Sequence, residues 1–296
     1  MRGVQILHST PLRPLPGASN AQLVRMQRSA ESSIARCIKD VEGMTIAATD
    51  GDIGKVVDCL FDDDSWTVRH FVVDTGGWLR GRRVLLSPAA VRGIDIEHRR
   101  LLTTLSREKV EHSPGVDTDR PVSRQQEIDL HQYYGYPYYW TGPYRWGYTP
   151  TPWAAAIAGI PFTPVAPPRE RRDDPHLRSA RAVTGYGIHA TDGDVGHVVD
   201  FLMEDESWAI RYFIVDPRSF WPARHVLIAV DWITWVAWGE RRVHVNATRD
   251  ELRHAPPYDP SAVIDRDWET AFFRAHGRPA PPRAASGGPS HIRRGA

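Results

Sequence analysis

Along the first half of the chain, short runs of β-branched and other apolar residues alternate with polar breaks, at 44–48, 56–61, 66–74, 83–87, 91–96 and 101–105. Asp50-Gly51, between the first two runs, is a strong tight-turn signal. Six runs this short predict six strands, which suit a small closed or nearly closed barrel. Ser106 and Thr248, each followed by acidic residues, are predicted to cap helical turns, and longer helices are predicted around 123–133 and 265–276.

The pattern occurs twice. Residues 48–74 read ATDGDIGKVVDCLFDDDSWTVRHFVVD and residues 190–216 read ATDGDVGHVVDFLMEDESWAIRYFIVD, so at an offset of 142, 17 of 27 positions are identical without a gap. The register runs on through Arg83-Val84-Leu85 against His225-Val226-Leu227, and His112-Ser113-Pro114 against His254-Ala255-Pro256. Two copies at this spacing mean two like domains, since a solenoid needs more and shorter repeats. The expected organisation is a disordered or weakly helical arm at 1–37, a first unit at 38–135, and an aromatic, Pro-rich linker at 136–176. A second unit at 177–277 and a disordered basic tail at 278–296 complete it.

A four-residue loop at 62–65 would make opposing residues of the following hairpin sum to 127. This places Asp58 opposite Arg69 and, in the second copy, Asp200 opposite Arg211. Such cross-strand pairs contribute roughly 0.2–1 kcal/mol and are read as structural. In the linker, Tyr133, Tyr134, Tyr136, Tyr138, Tyr139 and Trp140 have only Arg145 nearby as a basic residue. A base-stacking platform would set its aromatics among cations, so these are expected to pack against a domain.

Charge refines the picture. The net charge is +1, but residues 1–37 carry five Arg and one Glu (+4) and residues 278–296 four Arg and no acid (+4), leaving 1 − 8 = −7 for the rest. An acidic folded region disfavours tracking of phosphates. Cys37 and Cys59 are too few for a disulfide framework, and no apolar run approaches a membrane span, so a cytoplasmic location is expected.

No enzyme signature emerges. A calcium loop starting at Asp50 would need Gly where Lys55 stands and Glu where Phe61 stands. His189, His197, His225 and His244 lie on or beside predicted strands of the second copy alone, without metal-ligand spacing. No catalytic, cofactor-binding or metal-binding residue is therefore expected. The candidate interaction residues are the loop aromatics Trp78, Phe220 and Trp221, together with Trp232 and Trp238, since aromatics anchor interfaces. By strand alternation Trp235 points away from Trp232 and Trp238, so one of the two faces needs a cover.

The turn Asp50-Gly51-Asp52-Ile53-Gly54, then Val56-Val57-Asp58, then the run Trp66-Thr67-Val68-Arg69-His70-Phe71-Val72-Val73-Asp74, and their second copies resemble the PRC-barrel family. The family takes its name from the cytoplasmic domain of the photosynthetic reaction-centre H subunit, and a related domain occurs in a ribosome maturation factor. The chain is similar to bacterial tandem PRC-barrel proteins, which carry a Tyr-Gly-aromatic-Trp tail like that at 134–140. The resemblance implies a mainly β chain with two six-stranded antiparallel barrels, each followed by short helices, with flexible termini and linker. It further implies protein or RNA contacts without catalytic residues or cofactors. The expected function is a non-enzymatic interaction or scaffold module that binds a protein partner or itself. The alternatives are an RNA- or ribosome-associated factor, which the acidic folded region disfavours, and a membrane-peripheral photosynthetic or electron-transfer accessory protein. An H subunit role would need an N-terminal membrane helix, which the sequence lacks.

Overall fold

The computed structural model describes residues 35–115, 121–157, 176–217 and 224–281. The expected arm before residue 35, the Pro-rich stretch 158–175, the loop with Phe220 and Trp221, and the tail from 282 lie outside the described residues. The protein is mainly β and carries two sheets. In the first, β2 (Thr45–Ala48), β3 (Gly51–Asp62), β4 (Thr67–Asp74), β5 (Arg83–Leu86), β6 (Val91–Asp95) and β7 (Arg100–Thr103) are bonded in the order β5-β4-β3-β2-β7-β6. In the second, β9 (Gly187–Ala190), β10 (Gly193–Glu204), β11 (Ile210–Asp216), β12 (Val226–Ala229), β13 (Ile233–Ala237) and β14 (Arg242–Val245) repeat that order as β12-β11-β10-β9-β14-β13.

Three expectations change. The hydrogen-bonded path is open, with β5 and β6 at its ends, rather than a closed barrel. The sheets are not wholly antiparallel, because β2 pairs parallel with β7 and β9 with β14. An uninterrupted meander of six strands would make first and last antiparallel. The short 3-10 turn Pro88–Ala90 carries β5 into β6 without reversing the sense, and so inverts the parity of the later strands.

The third change concerns the ends of the units. Ala35–Cys37, placed by sequence in a disordered or weakly helical arm, forms strand β1 and pairs with β10 of the second copy. Leu177–Ser179 forms strand β8 and pairs with β3 of the first copy. Each sheet thus gains its seventh strand from the residues that lead into the other copy.

Helix caps follow the sequence. Ser106 and Thr248 accept the N–H of Lys109 and Glu251, and Ser123 and Asp265 start the helices Arg124–Tyr134 and Arg266–Ala275. Leu130 of the former packs with Leu60, Val72 and Leu85 on the outer face of the first sheet. This second layer explains why β4 is buried on both faces. The main core is continuous across both copies, from Phe61 and Phe71 to Phe201 and Phe213.

Candidate interaction site

The contacts between the copies obey the 142-residue offset, so they describe a pseudo-two-fold axis within one chain. Trp66 and Trp208 end the hairpin loops with φ of 50° and 58°, a left-handed conformation that costs a non-glycine residue roughly 1–3 kcal/mol. It turns each carbonyl toward the opposite copy: Ile210 N–H donates to Trp66 O at 2.7 Å and Val68 N–H to Trp208 O at 2.9 Å. Both indoles are buried in the other copy, Trp66 5.2 Å from Phe213 and Trp208 5.0 Å from Phe71. Arg36 grips Asp205 through two bonds of 2.9 and 2.7 Å, and its counterpart Arg178 meets Asp63 at 2.8 Å.

The two predicted cross-strand pairs are replaced by this interface. Asp58 faces Val72, not Arg69, and Asp200 faces Ile214, not Arg211. The reason is local. Asp62 accepts the N–H groups of Asp64 and Ser65, which moves the loop to residues 63–66, and bulges at 56–58 and 60–61 shift the register further. Asp58 instead accepts the Ser179 hydroxyl and the Arg181 N–H of the other copy, and Asp200 accepts the Lys39 N–H. Burial raises the pKa of both carboxyls, against the hydrogen bonds that lower it. Arg69 donates to Arg145 O and Ser65 Oγ, whereas Arg211 pairs with Glu269 at 3.1 Å.

The aromatic stretch after Tyr134 joins the interface from one side. Tyr136, Tyr138, Tyr139 and Trp146 are buried, as expected of packing residues. Arg145 reaches Ser65 O and Thr67 Oγ1 on one hairpin, and Trp146 donates to Ser207 O on the other at 2.8 Å. Behind it lies a buried polar cluster that the sequence reading missed. Glu127, with no exposure, accepts from His70, His176, Arg124 and the Tyr139 hydroxyl. Burial alone would raise its pKa, but the His176 and His70 bonds and the Arg124 charge outweigh it and hold the carboxyl well below the usual range. Its spacing from Arg124 on a helix carried no distinguishing signal, and His70 and His176 are remote in sequence.

The candidate anchors among the described residues, Trp78, Trp232 and Trp238, are less open than an interaction surface implies. Trp78 packs on the core, donates to the Ile53 carbonyl, and carries the Arg107 guanidinium over its ring at 4.3 Å. Trp232 is 3% exposed and stacks on Phe272 of the last helix, which is therefore its cover. Trp238 is half-buried under Arg178, and Trp235 stacks on His244 at 3.8 Å. Among the described residues, the large aromatic side chains that face solvent are Tyr148 and Trp153, at 59% and 42%. Cys59 is a buried core thiol, and the Asp50 and Asp192 carboxylates cap the turns at Arg107 and Arg249. Among the described residues, no group of three or more His, Cys, Asp or Glu is arranged to hold a metal, and no helix is long and apolar enough to cross a membrane.

Compared with known families, residues 37–110 match the model of the PRC-barrel domain. No curated protein matches the chain.

Proposed function

With residues 37–110 matching a PRC-barrel domain and the second copy repeating its strand order, we propose that the protein is a cytoplasmic, non-enzymatic interaction module. The observation that carries this reading is that each copy already packs against a second β unit of the same chain: strand addition, tryptophan insertion and turn capping join the two halves. Two of the most deeply buried ionisable groups support it too, since Glu127 and His70 are bonded to each other in the core and Arg124 bonds the same carboxylate. The aromatics best suited to stacking bases are buried, and Arg145 among them is tied to protein oxygens, which favours a protein partner over RNA.

Tyr148 and Trp153 are the exposed anchors on this reading. Partners recovered with the full chain from a cell extract are identified by mass spectrometry and rebound as purified proteins. Changing Tyr148 and Trp153 together to Ser is expected to weaken rebinding by about tenfold. Equal rebinding would remove these residues from the surface, and partner-free recovery would overturn the module itself.

A further inference from the structure

Four side chains line up across the outer face of the second sheet. In register over four strands stand Trp235 of β13, His244 of β14, His189 of β9 and Asp194 of β10. Their chain neighbours Ile188 and Val243 are buried, so the row faces outward. The His244 ring stacks on Trp235 at 3.8 Å and lies 5.0 Å from the His189 ring, whose Nδ1–H donates to Asp194 at 2.7 Å. In the first copy the same register holds Gly93, Leu102, Ala47 and Asp52. The imidazole pair and its indole thus belong to one half alone.

The row crosses the parallel pairing of β9 with β14. That ladder matches Arg242–His244 with Gly187–His189, three residue pairs, and it joins the β13–β14 hairpin to the rest of the sheet. Neutral His244 suits the place and a charged one does not. Its Nε2 is buried with no hydrogen-bond partner among the described residues, so a proton there adds a donor without an acceptor. Around the ring, β9 supplies His189, β14 Arg242, the following hairpin turn Glu240 and β10 Asp194, while β13 supplies Trp235 and no charge. Burial, then His189 and Arg242, hold the His244 pKa below its ordinary value, against the pull of Asp194 and Glu240. A histidine depressed in the fold lends its full stabilisation above about pH 6.5 and loses it as pH falls through the folded value. Charge on both rings would also set like charges opposite each other on paired strands, and Asp194 is bonded to only one of them.

We propose that the His189–His244 pair is an acid-sensitive joint, which lets the β13–β14 hairpin of the second copy part from β9 while the matching joint of the first copy holds. Acid then acts on one half of a duplicated protein, because only that half carries the imidazoles.

Amide hydrogen exchange of the full chain, resolved by residue and corrected for intrinsic rates, tests the joint between pH 7.5 and 5. Protection in β9 and β14 is expected to fall by about tenfold or more, and in β2 and β7 by less than about twofold. His244→Leu sets the first copy's residue in the row and is expected to abolish this difference; His189→Ala is expected to reduce it. Imidazole nitrogen shifts of the unaltered protein give a readout that needs no substitution. Neutral His244 is expected to carry its proton on Nδ1, and to become charged in step with the loss of protection in β14. Equal loss of protection in both copies, an undiminished fall in His244→Leu, or a His244 that charges while β14 stays protected would each overturn the proposal.

Discussion

Glu127 is ionised with no exposure to water because four donors converge on it, and His131 nearby meets the opposite fate. Burial and the His70 charge press the His131 pKa down from 6.5 to about 4, and its Nδ1–H donates to the Pro137 carbonyl. A histidine harder to protonate in the fold than in the unfolded chain lends its full stabilisation above pH 6.5, and loses it as pH falls toward 4. The loss is up to about 3 kcal/mol. Glu127 acts at lower pH, since its depressed pKa gives a contribution that is complete above the ordinary carboxylate range and is lost progressively as pH falls through and below it. Urea midpoints from pH 7 to 4.5 are expected to fall for the wild type and to fall less for His131→Gln. Equal slopes would show that His131 is not the group being titrated. At the same scale, Asp58→Ala and Arg69→Ala are expected to be additive within about 0.5 kcal/mol in a double-mutant cycle. A larger coupling would restore the direct pair that the register denies.

At the scale of elements, the strand crossings at Gly54 and Gly196 are the tightest points. A Cβ at either would lie 2.0 Å from the carbonyl oxygen of Asp74 or Asp216, which belongs to backbone and cannot swing aside. Gly54→Ala is expected to cost about 2 kcal/mol or more in denaturant unfolding, against under about 0.5 kcal/mol for Gly77→Ala, which meets nothing within 4 Å. Similar values for the two would contradict the close approach. These elements also show what the sequence could reveal. The six strands of each copy, the capped turns and the last helices were legible because a repeat reports the same pattern twice. The hairpin register was not, because Asp62 folds back on its own loop and the bulges change the count. Strands β1 and β8 are three residues each and lie outside the repeat's strong core, and their partners are fixed only by packing. The tryptophans were found by sequence but their exposure was not, because burial of a loop indole depends on what crosses it, as Arg107 crosses Trp78.

For the whole molecule, the crossed strands make the covalent link between the halves secondary to their contacts. A protease site inserted within 158–175 and then cut is expected to leave both halves co-eluting as one species in size exclusion without denaturant. Separation into two species would mean that the exchanged strands and tryptophans do not suffice. The interface is the kind that two identical chains would share, in which any substitution appears on both sides at once. Tandem fusion lifts that constraint, because each copy has its own codons. His225 can stand at the place that Arg83 holds in the other copy, and Cys37 at the place of Ser179. An isologous dimer offers its binding partner two equal seats. This chain's halves differ at those positions, so a single substitution changes one side of the seam alone.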